Sequence, residues 1–124
     1  MRLAVRRAQA ALVRGVLPGE AAALAALAQR LHGDAGPWEE STVEAALKRA
    51  LAQPLWALAE NHGEPDPAKV VEAVQADWPA VTYEALHHRG VVPSESEYVW
   101  TPATHPWVML HAVEAAVAAH LSLI

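Results

Sequence analysis

The chain has no cysteine, no phenylalanine and a single isoleucine, Ile124, in 124 residues. Without thiols there is no disulfide, no thiolate nucleophile and no zinc–thiolate site. Lysine is scarce too, two against seven arginines, a bias that resembles GC-rich bacterial coding. No run approaches the roughly 18 apolar residues that a membrane-crossing helix needs. The start "MRLAVRRAQAALVRGVL" mixes arginines through its apolar residues, unlike the clean hydrophobic segment of a secretory signal. These absences predict a cytoplasmic protein with no membrane span and no cofactor, whose polar chemistry rests on carboxylate, hydroxyl and imidazole groups.

Alanine fills much of what remains. It supplies 28 residues of a chain that is 53% hydrophobic, which points to helices more than to a large apolar interior. The length fits a single domain, residues 1–124. Five tryptophans (Trp38, Trp56, Trp78, Trp100, Trp107) supply the bulk that phenylalanine would otherwise bring. Charge is unevenly placed. Residues 1–14 hold Arg2, Arg6, Arg7 and Arg14 with no acid, while the rest holds five basic residues against fourteen acidic ones, a balance of −9.

Periodicity and capping signals lay out the elements. Residues 2–16 read as an amphipathic helix, with Ala4, Val5, Ala8, Leu12 and Val16 on one side and arginines over the other, either docking on the acidic body or serving as a basic arm for an anionic membrane, a nucleic acid or an acidic partner. "LPGE" breaks the chain before an Ala/Leu helix from Glu20 to Leu31. Ser41 and Glu44 match a capping box for a helix reaching about Gln53, where Pro54 stops or kinks it before a further turn or two. Asp66-Pro67 is an N-cap followed by proline at the first helical position, and Val70, Val74 and Trp78 line that helix. A helix from Ala80 to Arg89, stopped by Gly90, two short strands in about residues 91–101 and a terminal helix over 106–123 complete the layout. The fold class is mainly α: a compact bundle of five or six helices with one short β-hairpin.

In residues 67–101, the order helix, turn, helix, hairpin resembles a winged helix, an architecture whose DNA-binding members place the second helix in the major groove. The charges speak against that use, since Glu95 and Glu97 stand where a wing would want cations, and Glu84, His87 and His88 stand where bases would be read. The segments "WEESTVEAALKR" (38–49) and "WPAVTYEALHHR" (78–89) also echo each other, as duplicated helical hairpins would.

The leading functional expectation is a non-enzymatic protein-interaction or regulatory module with an acidic, Trp-containing surface. That surface comprises Glu84, His87, His88, Glu95, Glu97, Tyr98, Trp100 and Trp107, and the Ala-rich terminal helices offer a route to a homodimer. On it, Glu84 lies three and four residues before His87 and His88, spacings that allow side-chain pairing and a pH-sensitive patch. The alternative is a nucleic-acid-binding regulator using Arg2, Arg6, Arg7, Arg14 and Arg89. A second alternative is a metal protein or small enzyme built on His105, His111 and Glu114, of which the last two sit one helical turn apart. Ser41 is occupied as a cap, and no serine sits in a nucleophile elbow.

Overall fold

The computed structural model describes residues 2–31, 42–87, 90–95, 100–102 and 106–123, with the backbone alone described at 43, 100–102, 106–110 and 120. Its elements are α1 (Arg2–Arg14), β1 (Val16–Pro18), α2 (Ala22–Arg30), α3 (Thr42–His62), α4 (Pro67–Asp77), β2 (Val81–Glu84), β3 (Gly90–Pro93), β4 (Trp100–Pro102) and α5 (Pro106–Ser122). The protein is mainly helical, with five helices among the described residues and a short antiparallel hairpin. It divides into two compact units, Pro18–Trp100 and a unit made of Met1–Leu17 with Thr101–Ile124.

In Pro18–Trp100, α2, α3 and α4 pack on one another around Ala22, Ala25, Leu55, Ala59, Val70, Val71, Val74 and Tyr83. Helix α2 turns Ala22, Ala25, Ala26 and Ala28 inward, and side chains this small let its neighbours approach closely. Gln75 Nε2 donates to the Ala25 carbonyl at 2.9 Å, fastening α4 to α2. At the end of α2, the Arg30 guanidinium lies 5.1 Å from the centre of the Trp78 ring, a cation–π distance.

Helix α3 continues through Pro54 to His62 rather than ending near Gln53. Proline removes one helical hydrogen bond. Leu55 and Ala59, one turn apart and fully buried, supply packing that outweighs the loss. Gly63, at φ +88°, ends the helix. Its amide donates to the Glu60 carbonyl and the Glu64 amide to the Ala59 carbonyl, both at 3.0 Å, the paired bonds of a Schellman stop. Asp66 caps α4 as its sequence predicts, accepting from the Lys69 amide at 3.3 Å with Pro67 first in the helix. The capping box at Ser41 lies outside the described residues.

The segment read as a helix from Ala80 to Arg89 is a strand and turn. Val81, Thr82 and Tyr83 are β-branched or aromatic in succession, and they pair with β3 in the register Val81↔Pro93, Thr82↔Val92, Tyr83↔Val91, Glu84↔Gly90. The described hairpin is therefore β2–β3, not residues 91–101. The strands at 90–93 and 100–102 exist, but the first pairs with β2 and the second with β1. The winged-helix order fails at its second helix. The sequence echo fails with it, because Thr42 and Glu44 lie in α3 while Thr82 and Glu84 lie in a strand.

In the other unit, Gly15 at φ +83° closes α1, its amide donating to the Ala11 carbonyl at 2.8 Å. No residue of α1 is buried. Along α5, Val113 and Val117 are half-buried one turn apart, while Ala112, Ala115, Ala116, Ala118 and Ala119 face solvent.

Candidate functional site

Strand β2 carries three consecutive buried residues, Thr82, Tyr83 and Glu84, and gathers a polar cluster around the second. Thr82 Oγ1 donates to the Gly19 carbonyl at 3.2 Å, fixing the strand to the turn before α2. Tyr83 is fully enclosed, and its hydroxyl donates to Glu64 Oε1 at 3.2 Å. With that proton committed, Nδ1 of His62 completes the hydroxyl's hydrogen bonding as donor. The His62 and Tyr83 rings meet edge to face, centroids 5.7 Å apart and planes at 81°. His62 Nδ1 also lies 3.7 Å from Glu64 Oε1. The end of α3, its Schellman stop and the first residue after it thus supply both partners of a tyrosine some 20 residues away in sequence.

Burial pushes the Tyr83 hydroxyl up to about 12, with the Glu64 charge and hydrogen bond adding to it and Glu20 and Glu84 contributing. It stays protonated throughout the neutral range, so it donates a hydrogen bond and does not act as a base or nucleophile. The half-buried Glu20 carboxyl is raised by burial and by the Glu84 charge. For Glu84 itself, burial works upward, but the bonds from the His87 amide and ring outweigh it and hold the carboxyl below its ordinary value. Glu84 Oε1 accepts from the His87 amide at 2.8 Å and lies 3.2 Å from Nδ1 of the same residue. Its other oxygen is buried without a hydrogen-bond partner among the described residues.

Space around the cluster is set by Gly90, at φ +73°, opposite Glu84 in the hairpin. A Cβ there would stand 3.2 Å from Glu64 Oε1. Left-handed backbone and a close carboxylate both call for glycine. The assembly ties the end of α3 to the β2–β3 hairpin.

The expected partner surface is altered by these positions. Glu84 is 2% exposed, because a strand rather than a helix carries it, and it serves the turn instead of an outer face. Its pairing with His87 does form, and the His87 side chain is 40% exposed. Glu95 is exposed. His88, Glu97 and Tyr98 lie outside the described residues, as do Arg89 and His105 of the alternative readings; the side chains of Trp100 and Trp107 do as well. His111 and Glu114 meet at 3.1 Å on the solvent side of α5. Among the described residues no group of three or more potential ligands is placed to hold a metal ion. His62, Glu64 and Tyr83 carry no motif spacing; the only forewarning is the loop signal "NHGEPDP".

Helix α1 presents a different kind of surface. Leu3, Val5, Leu12 and Val13 are 62%, 51%, 87% and 83% exposed. Arg2, Arg6, Arg7 and Arg14 are exposed beside them, and none joins an ion pair among the described residues. No residue of α1 reaches full burial. Elsewhere, α3 and α4 border an open groove of about 320 Å³. Ala52, Trp56, Ala68 and Val71 form its floor, with Arg49, Gln53 and Glu72 on the rim. No helix among the described residues is long and apolar enough to cross a membrane. Comparison with protein-family models, curated proteins and solved structures finds no match for this chain.

Proposed function

We propose that this protein is a non-enzymatic protein-interaction module whose working surface is α1. The observation that carries the reading is the exposure of large apolar side chains on a basic helix: Leu12 and Val13 are more than four-fifths exposed, and no residue of α1 is buried. Large apolar side chains held in solvent are a standing cost that a partner removes, at about 25 cal/mol per Å² covered. Four arginines around them would steer an acidic partner and set its register. The acidic surface expected near the hairpin is the weaker candidate, since Glu84 is buried within it. The Tyr83 cluster serves this reading as scaffold, holding the hairpin to the end of α3.

Site-specific photocrosslinking of the full chain in its own host tests the proposal. A crosslinker at Leu12 should form a protein adduct, whereas one at Asn61, exposed on α3, should not. A chain that gives no protein adduct from position 12 has some other function.

A further inference from the structure

Resting on the reading of α1 as the interaction surface, we infer that its partner is a second copy of this chain, each copy laying α1 in the α3–α4 groove of the other. Charge is the first argument. Met1–Leu17 carries four arginines and no acid, while Pro18–Trp100 carries thirteen acids against five bases. Two α1 helices would repel each other. The basic helix of one copy and the acidic unit of the other attract.

Shape is the second. Val5, Ala8 and Leu12 follow the i, i+3, i+7 spacing of a helix seam, with alanine in the middle allowing close approach. The groove offers Ala52, Trp56, Ala68 and Val71 as an apolar floor of matching character. Glu72 stands on its rim, and Glu60, outside the lining, is exposed one helical turn beyond Trp56 on α3. Arg49 stands on the α3 side of the same rim, and so favours an orientation that brings Arg6 and Arg7 toward Glu60 and Glu72.

Other occupants fit less well. A bilayer surface rewards bulky side chains gathered on one face, yet only Val5 and Leu12 lie on the seam, while Leu3 and Val13 sit among the arginines. A nucleic acid would take the arginines and leave the seam uncovered. The groove is open along one side, so it suits projecting side chains better than an enclosed small molecule. Reciprocal exchange of two helices closes under two-fold symmetry, which leaves no free end for a fibre.

Sedimentation equilibrium on the full chain tests this, with Arg6→Glu/Arg7→Glu and Glu60→Arg/Glu72→Arg as variants. Circular dichroism and unfolding midpoints would confirm that both fold. The wild type should be a dimer whose affinity falls at least tenfold between roughly 25 and 300 mM salt, as screening shortens. Each variant alone should be monomeric, and an equal mixture of the two should dimerise, because the exchange restores opposite charges at both contacts. A wild type that stays monomeric up to roughly 100 μM, a weak limit for a specific complex, overturns the inference. If position 12 still crosslinks to a different protein, α1 remains an interaction surface with another partner. A dimer indifferent to both variants also overturns the inference, as does a monomer whose binding to duplex DNA or anionic vesicles is lost in Arg6→Glu/Arg7→Glu.

Discussion

Helix α2 buries Ala22, Ala25, Ala26 and Ala28, whereas α5 leaves Ala112, Ala115, Ala116, Ala118 and Ala119 in solvent. The residue type is the same, and so is the helix it favours. What differs is the neighbourhood. Helix α2 lies against α3 and α4, which bring Leu55, Val70, Val71 and Val74 to meet its small side chains. Alanine contributes only about 0.8 kcal/mol per buried methyl, so it packs where larger residues opposite it supply the contact area. The α2–α4 unit therefore completes its core from within, and no described side chain of α1 or α5 is buried.

The sharpest way to break this comparison is to truncate one leucine in each region. Leu55→Ala, at a fully buried site, should lower unfolding free energy by about 2–5 kcal/mol in chemical denaturation. A loss below that range would mean the α2–α4 unit is not the stable core. Next comes Tyr83→Phe, which strips the Glu64 carboxylate and His62 of their shared hydroxyl. It should cost about 1–3 kcal/mol near pH 8. The hydroxyl is raised from 10 to about 12 on folding, so its contribution is complete below pH 10 and is lost as pH rises toward 12. The wild type should shed on the order of 2 kcal/mol across that window beyond what Tyr83→Phe sheds, read from unfolding midpoints at each pH. Equal slopes would show that the hydroxyl is not held in its protonated form. The smallest effect should be Leu12→Ala, within about 0.5 kcal/mol of wild type, because an exposed side chain leaves no cavity. A larger loss of monomer stability there would mean that α1 packs within its own chain.

Much of the helical layout was legible because its signals are local. Asp66 and Pro67 mark the start of α4 by chemistry confined to four residues. The failures are all non-local. Whether a helix survives Pro54 depends on what Leu55 and Ala59 pack against, and those partners lie on other elements. Val81–Glu84 offers β-branched residues followed by Ala85 and Leu86. Only the presence of β3 nearby decides between strand and helix. The cluster was illegible for the same reason: His62 and Tyr83 meet across 21 positions, and no spacing rule links a helix end to a strand two elements further on. Glu84 shows how one error spreads. Placed on a helix it belongs to an outer face with His87; placed on β2 it is interior and caps a turn.

Pro54 has a consequence for how α3 opens. Lacking an amide proton, it leaves the Ala50 carbonyl without its helical donor at the boundary between two unlike stretches. After it, Leu55 and Ala59 are sealed in the core, while from Thr42 to Gln53 no described side chain is buried. Amide exchange along α3 should therefore be faster before Pro54 than after it, where Leu55 and Ala59 are sealed in the core.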